Sequence, residues 1–453
     1  MGLSIIILAA GQGKRMHSEL PKVLQPLAGR PMLAHVLACT RALDAEDVCV
    51  VYGHGGEAVP TTFNEAGLRW ALQSEQLGTG HAVQQAMAEA PQDGMVLILF
   101  GDVPLLLPGT LQRLIGATDA GEMAILTVDV KDPTGYGRIV RDHGDVVKIV
   151  EEKDATSKEK AIREINTGVM LCSASALQRW LGKVSNDNAQ GEYYLTDVIA
   201  MAVDDDVRIH GVKANDWVEV MGINDKKQLA EAERALQARL VDDLMSQGVG
   251  FADPSRVDIR GNLICGKDVF IDVNAVFEGD VSLGDGVRVE SNNLIRDSQL
   301  GAGTLVHSNC HIDGATMGKN CEIGPFARLR PGTALAHDIK VGNFVEIKKS
   351  EVAEGSKINH LSYIGDSKLG KDVNVGAGTI TCNYDGANKH NTTIGDGAFI
   401  GSGVNLVAPV DIGEGATIGA GSTITKSAPE DTLTLERSKQ VTVKGWKRPA
   451  KNN

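Results

Sequence analysis

The sequence predicts an α/β domain, then one long helix, then a parallel β-helix, and three observations carry that reading. Up to about residue 225, short β-rich runs alternate with helical patterns. From Asp225 to Gln247 the composition is uninterruptedly helical. Beyond Phe251, apolar residues recur every six positions.

In the first part, Ser4–Ala10, Val48–Tyr52, Met95–Phe100 and Met123–Val130 read as strands, with Met32–Ala42 and Gly80–Ala90 as helices between them. Strands alternating with helices predict a mostly parallel α/β sheet. The run DKKQLAEAERALQARLVDDLMSQ is rich in strong helix formers and meets Gly248, a residue suited to ending a helix. Three segments follow: 1–225, a linking helix at 226–250, and 251–453.

In the third segment Ile259, Cys265, Ile271, Phe277, Leu283, Val289 and Ile295 are six apart. Six steps of about 100° leave each residue about 240° from the last, so no helix gathers them on one face. Six is a multiple of two, so in extended chain all of them point the same way. Short strands joined by corners, three hexapeptides to an 18-residue coil, satisfy that pattern. Five-residue steps begin at Ile295, Ile312, Ile347 and Ile364, at one corner of the coil when counted in threes. One rung is broken, because Thr381 to Ile394 spans 13 residues and expels about seven within CNYDGANKHNTT. Loops expelled from a regular scaffold often carry function. The coil is expected to end near Ser427.

Composition sets limits. A chain of 453 residues allows two or three domains, and 42% hydrophobic residues exclude disorder as the main state. The net charge of −13 argues against nucleic acid as a partner, so an anionic substrate must be met by a few local cations. No run approaches the roughly 20 apolar residues of a membrane span, and Leu3–Ala10 lacks the basic segment of a signal peptide. Seven cysteines, never spaced Cys-x-x-Cys, read as reduced thiols in a cytoplasmic protein. The segment Glu436–Asn453 holds six basic residues against Glu436 alone, as a solvated tail or a polyphosphate contact.

Chemistry-bearing residues begin at the first strand end. Leu8-Ala-Ala-Gly-Gln-Gly-Lys-Arg-Met16 brings small residues, Lys14 and Arg15 together, and Lys22 follows. Backbone N–H groups can approach an anion there, although the spacing is neither Gly-x-Gly-x-x-Gly nor a P-loop. Phe100-Gly-Asp102 ends another strand, where open α/β sheets bind ligands. A carboxylate in that place suits Mg²⁺, and equally suits a turn or helix cap.

With Pro21-Lys22, Gln73-x-x-x-Leu-Gly-Thr-Gly-His81, Gly135-Tyr-Gly-Arg138, Val150-Glu-Glu-Lys153, Glu164-Ile-Asn-Thr-Gly168 and Gly222-Ile-Asn-Asp225, the chain resembles the sugar-nucleotide pyrophosphorylases. More narrowly, it resembles over essentially its full length the bacterial bifunctional enzymes that join an N-acetylglucosamine-1-phosphate uridylyltransferase to a glucosamine-1-phosphate acetyltransferase. The resemblance implies a Rossmann-like nucleotidyltransferase domain and a left-handed parallel β-helix of hexapeptide repeats. It implies acetylation of glucosamine-1-phosphate by acetyl-CoA, then in-line attack of N-acetylglucosamine-1-phosphate on UTP with release of pyrophosphate, in a homotrimer making UDP-N-acetylglucosamine for cell-wall synthesis.

Matching positions acquire roles. Leu8, Ala9, Ala10, Gly11, Gln73, Gly78, Thr79, Phe100 and Gly101 would line the UTP site, with Arg15 and Lys22 on phosphate as the catalytic cations. Asp102 and Asn224 would hold Mg²⁺, and Gly137, Glu151 and Asn166 the amino sugar. In the coil, His360 would be the general base. Arg330 and Lys348 would hold the sugar phosphate, with Tyr363 and Asn374 on the sugar. Ala377, Asn383, Tyr384, Ser402, Ala420 and Arg437 would contact acetyl-CoA. On spacing alone His360 is one of 11 histidines, and acetyl transfer to an amine gives it weight because imidazole accepts protons near neutral pH. A pyrophosphorylase with a purely structural β-helix, and a non-catalytic scaffold, are the competing readings. His360, Arg330, Lys348 and the basic tail oppose the first, and Lys22, Asp102 and Asn224 the second.

Overall fold

The computed structural model describes residues 2–53, 56–63, 66–90, 93–119, 121–449 and 451. They form two compact units, Met1–Leu236 and Gln237–Asn453.

The first unit is built on a sheet whose central strands run, in spatial order, Ile209–Lys213, Met123–Asp129, Glu164–Ser173, Met95–Phe100, Leu3–Leu8, Asp47–Tyr52 and Leu68–Leu72. All neighbours are parallel except Glu164–Ser173, which opposes both strands beside it. The pair Arg138–Asp142 and Asp145–Val150 attaches to that antiparallel strand. Both faces are buried, which is why the strands read as unbroken apolar runs. Ile5, Ile7, Leu97 and Leu99 pack into one layer, and Ile6, Val96 and Ile98 into the other. The register sets Leu8 opposite Phe100, so the Ala9–Gly11 turn and Gly101-Asp102 leave the sheet side by side.

The second unit is a parallel β-helix with one 11-stranded sheet and one 17-stranded sheet that folds around a corner. Ile259, Phe277, Ile295, Ile312, Leu329 and Ile347 stack directly, followed by Ile364. The four residues at which the six-residue step shortens therefore lie in one column, and partners there are 17 rather than 18 apart. The interior is mostly apolar, and buried hydroxyls such as those of Thr304, Ser356 and Thr381 donate to backbone carbonyls. Corners take left-handed backbone, mostly at Asn and Asp such as Asn274, Asn292, Asn309 and Asp372. These residues tolerate that conformation at low cost. Phe326, Phe344, Lys349 and Leu361 adopt it too.

Two boundaries differ from the sequence reading. A short strand, Leu433–Thr434, pairs with Thr417–Ile418 and extends the coil past Ser427. The linking helix spans Lys226–Ser246, yet its second half packs into the coil unit. Val241 and Leu244 are buried in the coil's core. The Gln237 amide donates to the Ile259 carbonyl at 2.8 Å and accepts from the Ile259 N–H at 2.7 Å. The helix thus closes the first open coil, a role its own periodicity does not show.

Candidate active sites

In the first unit the strand-end turns surround a cleft of about 270 Å³ lined by Leu8, Ala9, Ala10, Gly11, Lys22, Gln73, Gly78, Thr79, Phe100 and Asp102. Gln73 is 97% buried, and its amide donates to the Gly78 carbonyl at 3.1 Å and meets His81 Nδ1 at 3.1 Å. Gly78 sits at φ 112°, and a Cβ there would lie 2.6 Å from the Tyr193 carbonyl. Only glycine fits that turn. Thr79 Oγ1 accepts the Leu195 N–H at 3.1 Å, so the segment around Tyr193 fixes the turn from behind.

The Lys22 ammonium contacts the Asp102 carboxylate and lies 3.2 Å from Asn224 Oδ1. The Ile223 N–H donates to the Asp102 carbonyl at 2.9 Å and holds Asn224 in place. One carboxylate and one amide oxygen thus converge on a point that a cation already occupies. Two oxygen donors with room for phosphate and water are what Mg²⁺ requires, so these residues fit that ion.

Gly137, Glu151 and Asn166 form a neighbouring group. The Asn166 N–H donates to the Gly137 carbonyl at 2.8 Å, and Thr196 Oγ1 donates to Glu151 Oε1 at 3.1 Å. Burial, reinforced by Asp154 and Asp197, pushes the Glu151 carboxyl above its usual range. Gly101 lies behind the cleft, donating to the Leu8 carbonyl at 2.9 Å. Arg15 is exposed on the rim near Tyr136 and outside the cleft lining. No cysteine offers a nucleophile among the described residues: all are free, and burial pushes Cys39 and Cys172 up to about 12.

In the coil, His360 ends a strand of the 11-stranded sheet, with Nδ1 2.8 Å from Asn343 Oδ1 one coil below. The residue is exposed. The Gly378 N–H reaches the His360 carbonyl, the Gly403 N–H reaches Ala377 and the Gly421 N–H reaches Ser402. His360, Ala377, Ser402 and Ala420 therefore follow one edge of the coil in order, three small residues beside the imidazole. Arg437 continues that edge, with Cδ 3.9 Å from where a Gly421 Cβ would stand.

The remaining residues lie across the Leu361 corner, on the other sheet. The Arg330 N–H donates to the Ile347 carbonyl, and Lys348 pairs with Gly365. A Cβ on Gly365 would meet the Tyr363 hydroxyl at 2.5 Å and the Asn383 amide at 2.8 Å, so the two side chains converge there. Asn383 Nδ2 donates to the buried Asp366 carboxylate at 2.5 Å, and Lys348 Nζ lies 3.8 Å from it. Asn374 stays on the His360 sheet, between Lys357 and Phe399.

The two halves have separate relatives. The MobA-like NTP transferase domain family matches residues 5–188, the GMPPB C-terminal domain family residues 259–353, and the bacterial transferase hexapeptide (six repeats) family residues 391–426. Across both halves the chain is 56% identical over 450 residues to the Bifunctional protein GlmU of Aromatoleum aromaticum, covering 99% of each chain. It is also 56% identical to that of Azoarcus sp., covering 99% of this chain and 100% of the relative. Identity to that of Acinetobacter baumannii is 52%, over 100% of this chain and 99% of the relative. The chain belongs to the GlmU family. It is a bifunctional transferase, a uridylyltransferase followed by an acetyltransferase.

The GlmU frame also exposes what the sequence reading missed. Gln76, Val23, Ala82 and Glu192 line the first cleft with the expected residues, and Glu192 reaches it only through the fold. Asn343, which meets His360, could have been found by counting back 17 positions along the coil. Glu346 accepts from Arg330 at 2.9 Å, and Asp366 anchors Asn383 and Lys348. Sequence offers no signal for Asp366, since a lone Asp at a coil corner looks like every other corner residue.

Proposed function

We propose that the first cleft takes UTP and N-acetylglucosamine-1-phosphate, and that the coil acetylates glucosamine-1-phosphate with acetyl-CoA. The observation that carries the first assignment is the meeting of Lys22, Asp102 and Asn224 beside the Leu8–Gly11 turn. Asp102 and Asn224 would hold Mg²⁺, which neutralises phosphate charge when bound. Lys22, released from them, would turn to the phosphates with Arg15 swinging in from the rim. Leu8–Gly11, Gln73, Gly78 and Thr79 would seat the uracil and ribose, with Phe100 and Gly101 beneath. Gly137, Glu151 and Asn166 would orient the amino sugar for in-line attack on the α-phosphorus. Such a transfer depends on positioning and charge neutralisation more than on a protein nucleophile.

In the coil, His360 would remove the proton from the amine of glucosamine-1-phosphate, with Asn343 fixing the ring. Arg330 and Lys348 would bind the phosphate, and Tyr363 and Asn374 the sugar. Acetyl-CoA would lie along Ala377, Ser402 and Ala420, reaching Asn383, Tyr384 and Arg437. His360 and the Arg330–Lys348 group occupy different faces of one coil, so a site using both is completed by a neighbouring coil. The exposed rings of Phe326 and Phe344, stacked at 5.2 Å, and exposed Leu361 mark the corner between those faces. This supports a homotrimer. Among the described residues no helix is long and apolar enough to cross a membrane, and free thiols fit a cytoplasmic enzyme. We assign uridylyl transfer to 1–225, acetyl transfer to 251–453 and the join to 226–250.

The test is to assay the purified chain for CoA release and, separately, for pyrophosphate release with and without a chelator. Both releases are expected, with only the second abolished by the chelator. Absence of either from a folded trimer overturns the corresponding half.

A further inference from the structure

The expelled rung interrupts the coil's ladder. Leu369 pairs with Ile394 across 25 residues, against 17 or 18 in the coils before it. A seven-residue excursion with no ladder partners loses much entropy when ordered, yet this one is closed on itself. Asp385 is its hub. One carboxylate oxygen accepts the N–H groups of Ala387 at 2.8 Å and Asn388 at 2.7 Å. The other meets His390 Nε2 at 2.7 Å. The backbone N–H groups and His390 hold that carboxyl well below the usual carboxylate range. Around the hub, Tyr384 pairs with Lys389 as an antiparallel bridge, and the Tyr384 hydroxyl donates to the Gly386 carbonyl at 2.6 Å.

The base of the loop is fixed to the face assigned to the sugar phosphate. The His390 N–H donates to the Asn383 carbonyl at 2.9 Å, and Asn383 is tied to buried Asp366. The like charge of Lys348 lowers the affinity of Lys389 for a proton, and the Asp366 carboxylate opposes that effect.

We propose that Asp385, through its contacts to Ala387, Asn388 and His390, is a positioning residue of the acetyl-transfer site. It latches the expelled loop so that Asn383, Tyr384 and Lys389 stand ready on the Lys348 face before either substrate arrives. The inference rests on the acetyl-transfer reading above. A loop already ordered does not have to be ordered by the ligand, so the latch acts on substrate affinity more than on the chemical step.

The experiment is steady-state kinetics of Asp385→Ala and Asp385→Asn in the full chain, with both activities and the coil's thermal transition measured. In Asp385→Ala the KM for both acetyl-transfer substrates is expected to rise about tenfold or more while kcat changes by less than about threefold. Asparagine keeps an oxygen for the two N–H groups, so Asp385→Asn is expected to recover most of the loss. The thermal transition and uridylyl transfer should stay at wild-type values, because no coil-interior residue lies in the loop. Unchanged KM in Asp385→Ala overturns the proposal, as does a kcat loss at constant KM. If Asp385→Ala does not fold, a wild-type thermal transition with a raised KM in His390→Ala supports the latch and an unaltered KM overturns it. Failure of the underlying reading looks different, because the wild-type chain itself would then release no CoA.

Discussion

The two units gather their functional groups by opposite means. In the first, Lys22, Asp102 and Asn224 are separated by 80 and 122 residues in sequence and meet because three strand-end segments open onto one cleft. In the coil, His360, Ala377 and Ser402 come together because the chain returns to the same edge every 17, 18 or 25 residues. The first arrangement depends on topology and the second on counting. A point change in the cleft disturbs groups held by turns from several elements, whereas one on the coil's outer edge leaves the ladder behind it intact. The comparison predicts sharply separable defects.

The largest is expected at His360. The amine of glucosamine-1-phosphate is mostly protonated near neutral pH and attacks only after losing a proton, and general base catalysis is typically worth ~10²–10⁴-fold. His360→Ala should lower acetyl-transfer kcat by about that factor, with little change in either KM and none in uridylyl transfer. Kinetics in both assays decides it, and near-normal acetyl transfer removes the base assignment.

Next is Asp102. Replacing it with Asn removes the charge that Lys22 contacts and weakens the proposed cation site. Uridylyl transfer should fall about 10²-fold, the scale for losing one preorganised electrostatic group, and the Mg²⁺ concentration for half-maximal rate should rise. Acetyl transfer is the internal control. An equal loss of both activities would indicate misfolding instead.

Gly78 tests how far the cleft depends on its turns. Alanine at φ 112° is strained, and its Cβ would press on the Tyr193 carbonyl. A residue forced into such backbone costs of order 1–3 kcal/mol, so Gly78→Ala should lower the first unit's thermal transition and raise the KM for UTP about tenfold. Acetyl transfer should not move. The coil's edge offers the contrast: Ala420→Ser should leave the coil's melting temperature unchanged.

These contrasts explain how much could be read in advance. The coil was legible because its rule is arithmetic: the six-residue period, the slips at Ile295, Ile312, Ile347 and Ile364, and the seven-residue excursion all lie in the letters. The strand ends at Phe100 and Leu8 were legible from apolar runs meeting small residues. That Lys22 would lie on Asp102 and Asn224 was not, because contacts between turns far apart in sequence leave no local pattern. The same holds for Glu192, Asp366 and the loop closed by Asp385. Where the linking helix ends one unit and begins the other was hidden for a different reason. Its composition is uniformly helical, and only packing separates its two halves.

That packing gives the smallest expected effect on activity. Leu244 is 6% exposed within the coil's core, while Met245 beside it is 39% exposed. Burying a leucine and then truncating it leaves a cavity, and Leu→Ala changes in cores cost about 2–5 kcal/mol. Leu244→Ala should destabilise the coil unit by about 3 kcal/mol in denaturant unfolding, and Met245→Ala by about 0.5 kcal/mol or less. Both rates should remain at wild-type values below the transition, because neither side chain lines either candidate site. If the helix were only a tether, the two substitutions would be equally harmless, and a coil fragment starting at Phe251 would be as stable as one starting at Lys226. A stability gap of a few kcal/mol between those fragments would instead make the second half of the helix part of the coil's fold.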